Sequence, residues 1–280
     1  MSDALISGKV REVYESADGL IIVTTDRISA YDVVLDTPIP HKGVVLNRLS
    51  LFWFDYTKDI VKNHIISDNT DDFPERFRSK YYERRTVLVK PLRMLPFEFI
   101  VRGYIFGNMW EAYKEGKPFC GEVFPQGLLQ AQKLPTPILT PSTKAAEGHD
   151  VYVTFDYVTK ELGAELAQTL QKMCIKLYTK CATYAYQKGI IIADTKFEFG
   201  IDKQNNLVLA DEIFTPDSSR FWNLADYKTG TSPVSFDKQY VRDWLTKNNA
   251  AGVTPPPRLP DDVVHNTSLL YLKCFERLTT

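Results

Sequence analysis

The segment from Val158 to Phe199 constrains the fold most strongly, because a long helical pattern in it leads directly into an apolar strand. Apolar residues recur every three to four positions from Val158 to Lys188, which predicts one amphipathic helix with its apolar face in the core. Gly189 follows where a C-terminal cap is expected. The next strand opens with the apolar run Ile190–Ala193, which is typical of a central strand. We therefore expect a core helix and a buried strand that meet at Gly189.

The start of the chain is predicted to be rich in strands. The predicted elements are strands at Val10–Tyr14 and Leu20–Thr25, a helix at Leu46–Val61 and a strand at Thr86–Lys90. Asp18-Gly19 is a strong hairpin signal between the first two strands. Pro91 and Pro96 bracket a short connector, which we interpret as a lobe boundary. We expect a β-rich lobe over residues 1–92 and a larger mixed lobe over residues 93–280.

The second lobe is predicted to combine strands, helices and one long irregular segment. Its predicted elements are a strand at Phe99–Tyr104, a helix at Gly107–Glu115, hairpin strands at Ile190–Phe199 and Leu207–Phe214, and a helix at Val263–Leu278. Pro118–Glu147 is rich in Pro, Gly and Thr, and we expect it to be irregular and either functional or disordered. The stretch from Tyr240 onward carries no functional motif and is expected to serve packing or oligomer contacts, with the oligomeric state left open.

Composition excludes several classes of protein. Hydrophobic residues make up 44% of the chain and charged residues 25%, as in ordinary globular proteins. The 34 Lys and Arg residues nearly balance the 35 Asp and Glu residues, so no nucleic-acid partner is expected and an anionic ligand needs a local basic cluster. We find no apolar run near the roughly 20 residues that span a bilayer and no secretory signal, and we expect a cytoplasmic protein without a membrane partner. The four cysteines are expected to be reduced core residues, and the four histidines have no metal-ligand spacing.

Three charged residues share one face of the strand after Gly189. Because side chains alternate along a strand, Asp194, Lys196 and Glu198 lie on the same side. A solvent-exposed face would produce the same alternation, whereas the apolar start of the strand favours a functional cluster. Spacing alone leaves both interpretations open.

The hairpin formed by this strand predicts a metal site. If its turn is centred between Lys203 and Gln204, Lys196 lies opposite Asp211, and Glu198 lies diagonal to Asp211 within side-chain reach. Two carboxylates with a lysine between them suit a Mg²⁺ ion that holds a nucleotide phosphate.

Two arginines are candidates for holding an anion. Arg102 stands at a strand end beside Gly103 and shortly before Asn108, and small residues let the backbone approach a ligand. Arg220 ends the acid- and hydroxyl-rich run Asp211–Arg220, and arginine is well shaped to fork two oxygens of a phosphate or carboxylate. A capped turn explains the same run equally well.

Two further basic segments match no common nucleotide motif. Gly8–Arg11 places two basic residues on one face of the first hairpin, but it is neither a Walker A loop nor a G-x-G-x-x-G fingerprint. Thr140–Lys144 offers hydroxyls and an ammonium that could hold a carboxylate or could be plain surface.

Taken in order, these segments resemble the SAICAR synthetase (phosphoribosylaminoimidazole-succinocarboxamide synthase) family. The matching segments are Gly8–Tyr14, Thr25–Asp32, Lys42-Gly43 with Asn47, Arg102–Tyr104, Ser142–Lys144, Asp194–Gly200 and Asp211–Trp222. The resemblance implies a two-lobed α+β fold whose first lobe is similar to the nucleotide lobe of kinases and ATP-grasp enzymes.

The resemblance also implies a reaction. ATP, L-aspartate and 5-amino-1-(5-phospho-D-ribosyl)imidazole-4-carboxylate would give SAICAR, ADP and phosphate in purine biosynthesis. A small-molecule kinase and an inactive nucleotide-binding regulator are the alternatives. A regulator would be expected to lack a metal carboxylate or the lysine, yet Lys196, Glu198 and Asp211 are all present.

Roles for the candidate residues follow from the same resemblance. ATP would be bound by Lys9, Arg11, Lys90, Leu92, Lys196, Glu198 and Asp211, with Mg²⁺ held by Glu198 and Asp211. The other substrates would be bound by Arg102, Asn108, Ser142, Thr143, Lys144, Asp150 and Arg220. The catalytic residues would be Lys196, Asp194 and Asp211. In one departure, Val151 follows Asp150 where relatives commonly carry an acid, so no second acid is assigned there.

Overall fold

The computed structural model describes residues 4–144, 150–236 and 238–280. Its strands are β1 (Ile6–Ser7), β2 (Arg11–Ser16), β3 (Gly19–Thr24), β4 (Ile28–Ala30), β5 (Val33–Leu35), β6 (Ile65–Ser67), β7 (Thr86–Val89), β8 (Arg93–Met94), β9 (Phe97–Tyr104), β10 (Lys133–Thr143), β11 (Ile190–Ile201), β12 (Leu207–Ala210) and β13 (Ser219–Asn223). Its helices are α1 (Lys42–Tyr56), α2 (Asn108–Lys114), α3 (Phe155–Leu162), α4 (Ala164–Gln187), α5 (Gln239–Lys247) and α6 (Asp261–Thr279). Antiparallel sheets and separate helices make this an α+β fold, as expected.

The first sheet contains strands from the start of the chain, in the order β1-β2-β3-β7-β6. β2 and β3 form the predicted hairpin, in which Ser16 pairs with Gly19. The helix predicted at Leu46–Val61 is α1, which begins and ends earlier than expected. The turn tightens after Tyr56, where the N–H of Lys58 donates to Asp55 O at 3.4 Å, and the Thr57 hydroxyl donates to Trp53 O at 2.7 Å.

The second sheet is built around β11, the strand predicted to be central. Its order is β10-β9-β11-β12, and β13 and β8 also pair with β11. Every residue from Ile190 to Gly200 is buried except Lys196, which is half-buried. α4 packs on this strand, and Gly189 after it has the left-handed φ of 75° that a C-terminal cap requires.

The long helix predicted at Val158–Lys188 is wrong as a single element. The structure has two helices, α3 and α4, which are separated at Gly163. Gly163 has φ 85°, which takes the chain out of the helical region. The apolar residues keep their helical spacing on both sides of Gly163, so the sequence pattern did not indicate that the helix is interrupted there. The Thr154 hydroxyl accepts the backbone N–H of Tyr157 at 3.2 Å and fixes an earlier start.

The expectation that Pro118–Glu147 is irregular is also wrong in part. The segment contains β10, an 11-residue strand that pairs with β9. Its prolines are tolerated because β10 is an edge strand, whose outward N–H groups need no partner. The register shifts between Lys133 and Ile138, where Pro135 and Pro137 lie. Residues 145–147 of the segment, and His149 beyond it, lie outside the described residues.

Backbone hydrogen bonds join the two sheets at the end of β12. The N–H of His64 donates to Leu209 O at 3.1 Å, and the N–H of Leu209 donates to Lys62 O at 2.9 Å. The N–H of Lys90 donates to His64 O at 2.8 Å. The first sheet is thereby held against the hairpin that carries the candidate carboxylates.

The C-terminal stretch packs against the first part of the chain. α6 contacts α1, and α5, which the sequence did not predict, contacts α6. Val241 and Leu245 of α5 join Ile28 and Ile39 in a separate apolar cluster. Within the described residues, no helix has both the length and the apolar character needed to cross a bilayer.

A Gly103→Ala substitution is expected to lower the free energy of unfolding by about 2–4 kcal/mol. The added Cβ would lie 2.0 Å from the Tyr178 hydroxyl oxygen, which donates to Ile192 O at 2.6 Å. That hydroxyl cannot move away without leaving a buried carbonyl unpaired. Urea denaturation measures the loss. Gly116→Ala is the comparison variant and should lose less, because its added Cβ meets no atom within 4 Å and only its left-handed φ of 69° costs about 1–2 kcal/mol. Equal losses in the two variants would contradict the steric explanation.

Candidate active site

Two carboxylates come close together on the hairpin formed by β11 and β12. Glu198 pairs with Ala210 across the hairpin, and Asp211 directly follows β12. Asp211 has φ 58°, so the chain turns sharply there. The charges of Glu198 and Lys196 both affect the pKa of Asp211, which places the three groups within electrostatic reach of one another.

The predicted register of this hairpin is wrong by one residue. Ile201 pairs with Leu207, so five residues form the turn and Gln204 is its centre. Continued in this register, the strand would place Asp211 opposite Phe197 rather than Lys196. The left-handed turn at Asp211 is therefore what keeps its carboxylate near Glu198 and Lys196.

Glu98 on β9 completes this cluster and was not predicted from the sequence. The Lys196 ammonium donates to Glu98 Oε1 at 2.6 Å and to Glu198 Oε1 at 2.5 Å. The Ser142 hydroxyl donates to Glu98 Oε2 at 3.2 Å. Glu98 therefore links the lysine of β11 to the edge strand β10.

Burial and charge shift the pKa values of the cluster in opposite directions. Burial raises the pKa of Asp211 to about 6, against the charge of Arg11 and with the repulsion of Glu198. Burial would also raise the pKa of Glu198, but Lys196 and Lys144 lower it to about 2. Burial would lower the pKa of Lys196, but the surrounding carboxylates, Glu198 first, raise it above its usual value. Glu198 is thus ionised and Lys196 protonated at neutral pH.

Arg11 and Lys9, predicted to face a nucleotide, point in different directions. The Arg11 guanidinium pairs with Asp211 at 3.3 Å and also with Glu212. Lys9 pairs with Asp32 at the surface, where more than half of each side chain is exposed. The structure therefore brings Arg11 into the carboxylate cluster but not Lys9.

Lys90 and Leu92 lie in the connector between β7 and β8. The Lys90 side chain is exposed, while its N–H bonds to His64 O. Leu92 packs over Gly200, whose added Cβ would lie 2.7 Å from Leu92 Cβ. The connector between β7 and β8 therefore packs directly against the end of β11.

Asp194 stands between the two predicted anion-binding arginines. The Arg102 guanidinium donates to Asp194 Oδ2 at 2.9 Å, and Arg220 pairs with the same oxygen. Arg102 also donates to the hydroxyls of Thr140 at 2.9 Å and of Tyr152 at 3.2 Å. Arg102 is only 2% exposed, so its guanidinium is fixed before any ligand arrives.

Asn108 and Gly107 border the same cluster. The Asn108 amide donates to the Tyr152 hydroxyl at 3.3 Å. Gly107 has φ 60°, and an added Cβ would lie 2.7 Å from the Arg220 guanidinium. Glycine is therefore required for Arg220 to lie where it does. Tyr152 is a second residue that the sequence analysis missed.

The segment Ser142–Lys144 reaches the carboxylate cluster from β10. Lys144 pairs with Glu198, while Ser142 donates to Glu98. The Thr143 hydroxyl lies 3.5 Å from Val151 O. Asp150 is exposed at the start of the next described segment. The structure thus places Ser142 and Lys144 against the cluster.

A pocket of about 110 Å³ opens beside Arg220. It is lined by Asp194, Pro216, Asp217, Ser218, Ser219, Arg220, Lys238 and Arg242. Asp217 accepts from the fully buried Lys42 ammonium at 2.6 Å and from the Tyr271 hydroxyl at 2.9 Å. Burial would raise the pKa of Asp217, but Lys42 and Lys238 hold it well below its usual value. The sequence analysis did not assign roles to Lys42 and Asp217. Both lie inside the segments that carry the family resemblance, so that resemblance could have pointed to them.

Larger pockets lie elsewhere. One of about 520 Å³ lies between α1 and α6, and one of about 420 Å³ lies against α4. Neither is lined by any residue of the carboxylate and arginine clusters described above. Pocket size alone therefore does not identify the chemical site, and the clustered charges do.

The donor set of Glu198 and Asp211 fits a Mg²⁺ ion bound to a nucleotide. Such ions are held by one or two carboxylates and complete their shell with phosphate oxygens and waters. The repulsion between the two carboxylates, which helps to raise the pKa of Asp211, would be relieved by a cation. Across the described ranges, no group of three or more His, Cys, Asp or Glu residues forms a site for a metal ion held by protein alone.

Comparison with known proteins gives one consistent result. The family model described as SAICAR synthetase matches residues 4–258. A phosphoribosylaminoimidazole-succinocarboxamide synthase from Syntrophobacter fumaroxidans is 49% identical over 277 residues, covering 97% of this chain and 91% of that protein. The structure of a SAICAR synthase from Saccharomyces cerevisiae complexed with SAICAR has a TM-score of 0.90 at 44% identity and covers 99% of this chain and 94% of that one. A type-2 SAICAR synthetase in complex with ADP has a TM-score of 0.71 at 26% identity, covering 98% and 97% of the two chains.

Proposed function

Because the chain belongs to the SAICAR synthetase family, the ATP-dependent ligases of purine biosynthesis, we propose that its two charged clusters are the nucleotide and ribonucleotide sites of that reaction. The substrates are ATP, L-aspartate and 5-amino-1-(5-phospho-D-ribosyl)imidazole-4-carboxylate, and the products are SAICAR, ADP and phosphate. The proposed compartment is the cytoplasm.

The carboxylate cluster is the proposed nucleotide site. Glu198 and Asp211 would hold Mg²⁺, whose chemistry when bound is to neutralise and orient the phosphates of ATP. Lys196 is held by two carboxylates and carries a fixed positive charge beside them. It would stabilise the negative charge on the transferred phosphoryl group. Lys90 and Leu92 would border the adenine, and Arg11 orients Asp211.

The arginine cluster is the proposed ribonucleotide site. Arg102 and Arg220 both pair with Asp194, and Arg220 and Asp194 line the pocket of about 110 Å³. They would fork the phosphate, and Asn108 would add an amide donor. Asp194 holds both arginines and could also accept from the amino group of the imidazole. Two relatives of this fold are in complex with SAICAR and with ADP, which supports binding of both a ribonucleotide and a nucleotide by this chain.

The proposed chemistry has two steps. An oxygen of the imidazole carboxylate attacks the γ-phosphorus of ATP, the bond to the bridging oxygen breaks, and ADP leaves. The aspartate amine then attacks the acyl carbon, loses a proton, and the carboxylate oxygen departs with the phosphate. A free carboxylate is a poor electrophile, so ATP supplies the leaving group. The chain's part is positioning and charge neutralisation, without a covalent protein nucleophile.

This proposal depends mainly on one observation, which is that the carboxylate cluster and the arginine cluster are joined by residues of the same strand, β11. Asp194, Lys196 and Glu198 occupy alternate positions of β11, so the two sites lie side by side. Adjoining nucleotide and acceptor sites are common to kinases and ligases, and the requirement for aspartate distinguishes the two.

The test is ADP release by the purified protein with Mg-ATP and the carboxylated ribonucleotide, with and without L-aspartate, together with mass detection of the succinocarboxamide. We expect ADP release and product formation only when aspartate is present. Turnover that is indifferent to aspartate would indicate a kinase. Tight ATP binding without turnover would indicate a regulator.

A Glu98→Gln substitution is expected to lower kcat about 10- to 100-fold while changing the KM for ATP much less. The amide keeps the shape but weakens the charge-assisted bond that orients Lys196. Steady-state kinetics measures the split between kcat and KM. Glu122→Gln, at an exposed position away from β9, should leave both constants unchanged. If Glu98→Gln changed only the KM for ATP, Glu98 would not position Lys196 for the reaction.

A further inference from the structure

Both oxygens of the Glu198 carboxylate are engaged by lysine side chains. Lys196 donates to Oε1 at 2.5 Å, and Lys144 pairs with Oε2. Glu198 is therefore neutralised by two positive charges, and its side chain is only 10% exposed. A divalent cation bound to this carboxylate would lie beside both ammonium groups, and their mutual repulsion favours the release of one lysine.

The two lysines are held very differently. Lys196 lies within the central strand β11 and has a second carboxylate, Glu98, at 2.6 Å. The Lys144 side chain is 31% exposed and, among the described residues, pairs with Glu198 alone. Its backbone N–H donates to Pro96 O at 3.1 Å, so the backbone is anchored while the flexible side chain is not. Lys144 is the lysine that can leave at small cost.

Lys144 also lies next to the proposed substrate side. It directly follows Ser142 and Thr143 at the end of β10, and Ser142 reaches Glu98. A four-carbon stem lets the ammonium swing to a new anion without backbone movement. The same ammonium can therefore move from Glu198 to a nearby substrate carboxylate once a bound cation repels it from Glu198.

We propose that Lys144 couples the two sites by exchanging partners, an inference that rests on the proposed function. Without nucleotide, Lys144 neutralises Glu198. When a metal–nucleotide complex takes Glu198, Lys144 is released and pairs with the carboxylate of the imidazole substrate. Each ligand then tightens the binding of the other, because coupling between sites is reciprocal.

The first test is Mn²⁺ binding in the presence of ADP, measured by electron paramagnetic resonance without ribonucleotide. In a Lys144→Met variant the competitor for Glu198 is absent, and Mn²⁺ affinity is expected to rise about fivefold or more. Lys144→Arg, which keeps a cation, should remain near the wild-type affinity. Lys133→Met is the matched control, because Lys133 is an exposed lysine at the opposite end of β10, the strand that Lys144 directly follows. Unchanged or weaker Mn²⁺ binding by Lys144→Met would overturn the proposal.

The second test is calorimetric binding of the carboxylated ribonucleotide with and without Mg-ADP. Wild type and Lys133→Met are expected to bind it about fivefold more tightly with Mg-ADP, and Lys144→Met should lose this enhancement. An enhancement that persists in Lys144→Met would also overturn the proposal. If wild type failed to bind the ribonucleotide at all, the proposed function would fail instead, while the Mn²⁺ measurement would still decide the role of Lys144 at Glu198.

Discussion

An Asp211→Asn variant is expected to lose about 10²–10³-fold in kcat while its free energy of unfolding stays the same or rises. Asp211 is one of the two proposed metal carboxylates, so the uncharged amide should bind the metal–nucleotide complex poorly. Its charge is costly in the free protein, because burial and the repulsion of Glu198 raise its pKa to about 6. Asparagine tolerates the φ of 58° at this position and can still accept from Arg11.

The stability difference between this variant and the wild type should depend on pH. Since the pKa of Asp211 in the folded protein lies above its unfolded value of 3.8, the folded state binds the proton more tightly. The wild type therefore loses stability relative to the variant as pH rises from about 4 to about 6. Above that range the difference should reach roughly 1–3 kcal/mol.

Urea denaturation across this pH range, without nucleotide, measures the difference. Asp18→Asn is the control, because it changes an exposed hairpin residue to one that the same turn favours. The account of the carboxylate pair would be contradicted by an Asp211→Asn protein that is clearly less stable at pH 7, or by one that keeps more than a tenth of the wild-type kcat.

An Arg102→Lys variant is expected to weaken binding of the carboxylated ribonucleotide about 10- to 100-fold while leaving the KM for ATP nearly unchanged. The planar guanidinium donates in three directions, to Asp194, Thr140 and Tyr152, and lysine cannot reproduce that geometry. The retained positive charge keeps Asp194 paired, so the protein should still fold. Calorimetry with the ribonucleotide, together with ATP kinetics, separates the two effects.

Arg93→Lys is the matched control for this change, since Arg93 is exposed on β8 and lies outside the arginine cluster. It should leave both ligands unaffected. An Arg102→Lys protein in which ATP and ribonucleotide binding weaken equally would show that Arg102 supports the whole site rather than the ribonucleotide side.

Local sequence patterns predicted those parts of the fold that depend on interactions between residues close together in the chain. The hairpin at Asp18-Gly19 and the apolar start of β11 were recognisable, because turn chemistry and burial leave a mark on neighbouring residues. The break at Gly163 was missed because apolar spacing continued through it. β10 was missed because its prolines are tolerated only at a sheet edge, and the position of a strand within a sheet cannot be read from the strand itself.

The candidate site was predictable along β11 and less so across the sheet. The alternation of side chains along a strand predicted that Asp194, Lys196 and Glu198 share one face. The contacts agree, because Asp194 pairs with Arg102, and Lys196 pairs with both Glu98 and Glu198. The register to Asp211 was wrong because a five-residue turn has its centre on a residue rather than between two. Glu98 could not be predicted, because its contact with Lys196 depends on β9 lying beside β11, a pairing that no local pattern specifies.

The central claim is that ATP is used at this site to activate the imidazole carboxylate for attack by aspartate. The most direct measurement is a turnover experiment with the ribonucleotide labelled with ¹⁸O in both carboxylate oxygens, followed by mass analysis of the products. We predict one labelled oxygen in the inorganic phosphate and the other in the new amide carbonyl of the succinocarboxamide. Unlabelled phosphate formed together with the succinocarboxamide would contradict the claim, because it would mean that the carboxylate oxygen never bonded to the γ-phosphorus.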